Sequence, residues 1–226
     1  LLRAVLDGVT WEGPVDLTTP NASLSVMNGS TLLSGSGGGP LVINVTGSGA
    51  SISFDTGTLA DAHVNLATAG GTGWFYGAAP AYFYIGPPSV LTLATDTTLD
   101  VLPDQSTLPP ILASAVLGGN IDNLGLIDIR NGDLIIGRTS GPPVPDTGVI
   151  VSLAAPFGSF DNHVTIVAEG TTGSTVTVGD MTIFGNEGLF QVANGEDLII
   201  QTSASTFTNT GTLAIYAGST IEFAGI

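Results

Sequence analysis

The chain has 226 residues, 43% of them hydrophobic, which is enough for one domain, at most two, with a sizeable buried core. Only 10% are charged, against about 25% in ordinary soluble domains, and three arginines face 19 acids for a net charge of −16. That balance leaves no cationic footprint for nucleic acid or an anionic membrane surface, and the absence of cysteine excludes disulfides, thiolate zinc and thiol catalysis.

No apolar run reaches the length of a membrane-spanning helix, so no membrane insertion is expected. The opening Leu1–Leu6 is too short for a signal peptide and lacks a cleavage-site pattern. With no initiating methionine, the chain reads as a segment of a longer or processed protein.

Taken in order, the sequence is a series of short strands separated by turns. Its 32 glycines and 13 prolines interrupt every window in which a 3.6-residue period could build a helix. Apolar and polar residues instead alternate over Ser23–Val26, Ser51–Phe54, Val90–Leu93, Val164–Val167, Thr175–Val178 and Thr220–Phe223, each bounded by Gly, Asn, Asp or Pro. Three stretches depart from this rhythm. Residues 72–88 crowd Trp74, Phe75, Tyr76, Tyr82, Phe83 and Tyr84 together and read as an aromatic-rich insertion. Residues 103–110 and 141–145 carry clustered prolines, which cannot donate to a strand ladder, and read as loops.

A repeat runs through the C-terminal half. Asn123-Leu-Gly125-Leu-Ile127-Asp-Ile129, Asn186-Glu-Gly188-Leu-Phe190-Gln-Val192 and Asn209-Thr-Gly211-Thr-Leu213-Ala-Ile215 share the form N-x-G-x-φ-x-φ, with φ an apolar residue. Each is followed by a glycine or turn and a second φ-x-φ: Leu134/Ile136, Leu198/Ile200 and Ile221/Phe223. Residues 21–32, from Asn21 through Leu24 and Val26 to Leu32, form a degenerate fourth copy.

In a β-solenoid, inward side chains stack on their counterparts one coil away, glycine recurs where a turn needs positive φ, and asparagine can bond its equivalent in the next coil. The expected fold is therefore all-β: a single right-handed parallel β-helix over residues 1–226, of about ten coils at the usual strand spacing. The alternative is an antiparallel β-sandwich in which N-x-G marks ordinary hairpin turns. The solenoid places Leu213, Ile215, Ile221 and Phe223 inside, over Phe190, Val192, Leu198 and Ile200, with Ala214 and Glu222 outward.

The coil Asn209–Phe223 resembles those of right-handed parallel β-helices in bacterial autotransporter passengers and filamentous-haemagglutinin-type adhesins. The likeness covers residues 121–226, is faint over 15–66 and is absent between 72 and 110. It implies a secreted or surface-displayed fibrous protein, bacterial, acting as stalk, adhesin or filament subunit. The partners it implies are further coils of a longer chain or end-to-end copies of the same chain, together with a glycan or a cell-surface receptor.

Many β-helices degrade polysaccharides, so an enzyme must be weighed. Glycoside hydrolysis needs convergent carboxylates. Asp122, Asp128 and Asp133 near Arg130 and Arg138 are the only local acid–base cluster, and Asp128 with Arg130 reads as a salt-bridged outer face. The motifs of polygalacturonase-like enzymes are missing, and the expectation is a non-enzymatic protein with no catalytic residue. The alternative is a glycan-binding or glycan-degrading β-helix that uses the six aromatic residues 74–76 and 82–84, whose rings suit stacking on sugars. An ice-binding solenoid, the third option, lacks a regular T-x-T ladder. His63 and His163 both lie two residues after an aspartate, which could orient an imidazole, but no third partner is evident. Calcium is the only cofactor that arises, with Asp122 and Asp128 as candidate ligands. The single imperfect Gly118-Gly119-Asn120-Ile121-Asp122 nonapeptide does not complete an oxygen cage, so no dedicated metal site is expected.

Overall fold

The computed structural model describes residues 3–67, 72–76, 90–102, 114–118, 121–129, 133–136, 159–169, 175–178, 183–201 and 206–224. Among these there are 25 strands and no helix, hence no helix long and apolar enough to cross a membrane. All strand pairings are parallel.

The strands fall on three faces. The first sheet stacks nine: β1 (Arg3–Asp7), β4 (Ser23–Met27), β7 (Ser51–Phe54), β10 (Thr72–Tyr76), β13 (Ser114–Gly118), β16 (Asp133–Ile136), β19 (Thr175–Val178), β22 (Asp197–Gln201) and β25 (Thr220–Ala224). The second stacks six: β8 (Gly57–Leu59), β11 (Leu91–Leu93), β14 (Ile121–Asn123), β17 (Ser159–Asn162), β20 (Ile183–Asn186) and β23 (Thr206–Asn209). The third stacks eight: β3 (Val15–Asp16), β6 (Leu41–Asn44), β9 (Ala62–Ala67), β12 (Thr98–Leu102), β15 (Leu126–Ile129), β18 (Thr165–Ala168), β21 (Leu189–Val192) and β24 (Thr212–Ile215). A separate pair joins β2 (Thr10–Glu12) to β5 (Thr31–Leu33). From β6 onward each described strand up to β22 pairs with the strand three further along the chain, so from β7 each coil contributes one strand to each face, while β2 and β5 of the first two coils pair apart. This is a parallel β-solenoid. Where about ten coils are expected from the sequence, the longest sheet has nine rungs.

The core is built from columns. On the third face, Val15, Ile43, Val64, Leu99, Ile127, Ile166, Phe190 and Leu213 occupy one register position on successive rungs. All but the last are buried. β-Branched and aromatic side chains dominate because they pack well on a pleated surface with neighbours above and below. On the second face Phe160, Phe184 and Phe207 stack, with centroids 5.6 and 5.5 Å apart and ring planes within 7° and 18° of parallel. The register expected from the repeat is the one observed: Leu213 over Phe190, Ile215 over Val192, Ile221 over Leu198 and Phe223 over Ile200. Leu213 and Ile221 are partly buried. Ile215 and Phe223 are 38% and 49% exposed, because no described rung covers their far side.

Three expectations are corrected. The glycines of N-x-G do not supply positive φ; they let backbones touch. A Cβ on Gly188 would lie 2.3 Å from the Val164 carbonyl oxygen, and one on Gly211 2.1 Å from that of Gly188. Positive φ belongs to the later turns, at Asn28-Gly29 and Asn194-Gly195. The second correction concerns the degenerate copy at 21–32, which sits one face out of phase. Its Leu24 and Val26 lie on β4 of the first sheet, whereas the three true copies lead into the third. The third concerns the start of the insertion expected at 72–88: Thr72–Tyr76 form rung β10, paired with β7 and β13, while 77–88 lie outside the described residues. The Pro-rich stretches 103–110 and 141–145 lie outside the described residues.

Candidate functional site

The polar residues of the solenoid gather in three places, each built from register. The first is a buried corner between the second and third faces. Leu59, Leu93, Asn123, Asn162, Asn186 and Asn209 share one column, apolar for two rungs and then asparagine for four. The Nδ2 groups donate in one direction: Asn123 to Asn162 Oδ1 at 2.9 Å, Asn162 to Asn186 Oδ1 at 2.7 Å, Asn186 to Asn209 Oδ1 at 2.6 Å. The second N–H of Asn162 reaches the Leu189 carbonyl, and that of Asn186 the Thr212 carbonyl. Carbonyls only accept, so these bonds fix the amide orientation. Asn123, Asn162 and Asn186 are fully buried, where an unbonded amide would be costly.

The second place is the outer side of the third face. Asn65 Nδ2 donates to Asn44 Oδ1 at 2.8 Å, and Asn44 Nδ2 to Asp16 Oδ1 at 2.5 Å. Asp100 and Asp128 occupy the next two positions of that column. His63, 40% exposed at its side chain, brings Nε2 to 2.9 Å from Asp100 Oδ2, a carboxylate only 6% exposed.

The third place is the outer side of the second face. Asp122 and Asp161 sit on adjacent rungs, with Gly185 next in the column. His163, directly after β17, places Nε2 3.2 Å from Asp122 Oδ1 and Nδ1 3.0 Å from Glu187 Oε2. Burial pushes the Asp161 carboxyl above the usual carboxylate range; His163 pulls it back, while Asp122 and Glu187 push it further up.

Of the candidates named from sequence, both histidines pair with carboxylates, but not with Asp61 as the Asp-x-His spacing would have it for His63. Their partners come from neighbouring coils. Asp122 and Asp128 lie on different faces and do not converge, and among the described residues no group of three or more acids and histidines could hold a metal ion. Arg130 lies outside the described residues, as does Arg138. So do Tyr82, Phe83 and Tyr84. Trp74, Phe75 and Tyr76 are placed by the backbone of β10, with Trp74 in register with Ser51 and Tyr76 with Ser53; their side chains lie outside the described set. Sequence reasoning missed Asn162, Asp100 and Glu187. A signal for Asn162 was present: Phe160-Asp161-Asn162, Phe184-Gly185-Asn186 and Phe207-Thr208-Asn209 share the form F-x-N, ahead of the corner rather than after it.

Chemically, the arrangement is a set of clips between coils. Among the described residues, neither imidazole bonds a serine or threonine hydroxyl, so no nucleophile–base pair forms. What the geometry defines is a class, the all-β parallel β-solenoid. The chain matches no known protein family, no curated protein and no solved structure.

Proposed function

We propose that the chain is a non-enzymatic structural or adhesive segment of a secreted or surface-displayed fibrous bacterial protein, serving as stalk, adhesin or filament subunit. Its coils are of the kind found in autotransporter passengers and filamentous-haemagglutinin-type adhesins. The observation that carries this reading is where the polar chemistry goes. Asparagine, aspartate, glutamate and histidine side chains bond from coil to coil, as in a part whose task is to hold its own length. The proposed partners are further coils of a longer chain or end-to-end copies, together with a glycan or a cell-surface receptor. The test is protease shaving and antibody labelling of intact cells of the source organism. Accessible chain at the surface or in the medium supports the reading, and chain protected inside the cell refutes it.

A second reading, a glycan-binding or glycan-degrading solenoid, draws on the register of Trp74 and Tyr76 with Ser51 and Ser53. Glycan-array binding abolished by Trp74→Ala with Tyr76→Ala would favour it.

A further inference from the structure

Two turns of the solenoid carry the dipeptide Asn-Gly. Residues 27–30 are closed by the Ser30 N–H, which donates to the Met27 carbonyl at 3.0 Å. Residues 193–196 are closed by the Glu196 N–H, which donates to the Ala193 carbonyl at 3.3 Å. The central residues have φ of 52° and 72° in the first turn and 62° and 85° in the second, so both turns are type I′. A third Asn-Gly, at 131–132, lies outside the described residues. Asparagine is chemically labile ahead of glycine, because no Cβ shields the following amide nitrogen from the side-chain carbonyl carbon.

The two turns differ in what holds that nitrogen. Gly195 N–H donates to Ser219 Oγ of the coil after, at 3.1 Å, and a Cβ on Gly195 would lie 3.8 Å from the Gly218 carbonyl oxygen of the same coil. Gly29 is exposed, a Cβ there would meet nothing within 4 Å, and among the described residues its N–H has no acceptor. Asn28 is tethered elsewhere. Its Nδ2 donates to Asp7 Oδ1 of the coil before at 2.6 Å, and its backbone N–H to Asp55 Oδ2 of the coil after at 2.6 Å. Neither bond engages the Gly29 nitrogen, and the side-chain one is exposed, where water competes for both partners.

We propose that Asn28 is a self-modification site, converting to aspartate and isoaspartate by intramolecular attack, and that Ser219 guards Asn194 against the same reaction. The Gly29 nitrogen gives up its proton and bonds to Asn28 Cγ. The Cγ–Nδ2 bond breaks, and the amide nitrogen takes up a proton and leaves as ammonia. Water opens the resulting five-membered succinimide: cleavage on the Cγ side gives aspartate, and cleavage at the main-chain carbonyl gives isoaspartate. Nothing is oxidised or reduced. In both products the amide link from Asn28 to Asp7 is lost and a carboxylate stands in its place, and isoaspartate also adds a backbone carbon to the turn that Ser30 and Met27 close.

The test is chymotryptic peptide mapping by mass spectrometry on the folded chain held in mildly alkaline buffer, reading the replacement of NH2 by OH at each asparagine. Asn28 should convert about fivefold faster than Asn194, the factor that one ordinary hydrogen bond on the nucleophile gives. Ser219→Ala should speed Asn194 by about the same factor and leave Asn28 unchanged. In denaturing urea the contacts between coils are gone, and the two rates should converge. An Asn28 that stays intact in the folded chain while both asparagines convert in urea overturns the site. Equal rates at the two positions in the folded chain, or an Asn194 no faster in Ser219→Ala, overturns the guard.

Discussion

Asn162 offers the sharpest test of how the coils hold together. Its column already contains leucine at Leu59 and Leu93, so Asn162→Leu introduces a side chain that this corner accepts elsewhere. The substitution leaves three groups without their partner: the buried Asn123 Nδ2 and Asn186 Oδ1 and the part-buried Leu189 carbonyl. At the low end of about 1–3 kcal/mol per orphaned group, the loss is near 3 kcal/mol or more. Added apolar burial returns about 1 kcal/mol, because leucine has contact only where the amide sat. The net expectation is a destabilisation of about 2–4 kcal/mol. Asn123→Leu makes the comparison. It stands at the end of the run, directly on Leu93, and removes only the bond to Asn162 and the Gly125 N–H bond at 3.2 Å. It orphans two groups, the buried Asn162 Oδ1 and Gly125 N–H, instead of three, so by the same reckoning its cost should be about 1–2 kcal/mol, less than that of Asn162→Leu. The assay is urea unfolding followed by far-ultraviolet circular dichroism, with midpoints compared at a common slope. Equal losses in the two variants, or a neutral Asn162→Leu, would refute the ladder as a source of stability.

Two further expectations follow from the same geometry. Gly188→Ala should cost about 3 kcal/mol, since its Cβ would meet the Val164 and His163 backbone, whereas Gly29→Ala, in open space at φ +72°, should cost only about 1 kcal/mol; the midpoints of the two variants check the order. Asp161→Asn should raise the urea midpoint at about pH 7, where the partly buried charge opposes folding. Because the folded carboxyl holds its proton above the ordinary value of 3.8, its contribution favours folding below that value and is lost as pH rises through the raised one, so the advantage of the variant should vanish in acid.

The sequence carried the fold further than it carried the site. The φ-x-φ pairs named the inward residues and their stacking partners, because a period of two decides the face and the repeat decides the rung. Asparagine at equivalent turns announced a ladder between coils. What misled was position within the coil. N-x-G glycine was assigned to turn geometry, when the backbone of the coil below demands it; sequence spacing shows that a glycine recurs, not which atom it avoids. Asn162 was hidden because Val164 stands where the other copies have glycine, and because the chain takes a longer path between Asn123 and Asn162 than between later rungs. The histidine contacts were illegible for the same reason: Asp100, Asp122 and Glu187 reach His63 and His163 through the stacking of coils, so their separation along the chain carries no trace of the contact.

The most direct test of the parallel register is a cross-link. Ser25 on β4 and Ser53 on β7 share a rung position, with their hydroxyls 3.1 Å apart across 28 residues of chain. The chain has no cysteine of its own, so Ser25→Cys with Ser53→Cys creates the only thiols present. Parallel neighbours at strand spacing fall within the Cα separation of about 4.4–6.8 Å that a disulfide spans. Mild oxidation should close this bond rapidly in the folded chain, while Ser25→Cys with Thr58→Cys, on different faces, should stay reduced. Closure of the second pair in preference to the first would contradict the solenoid.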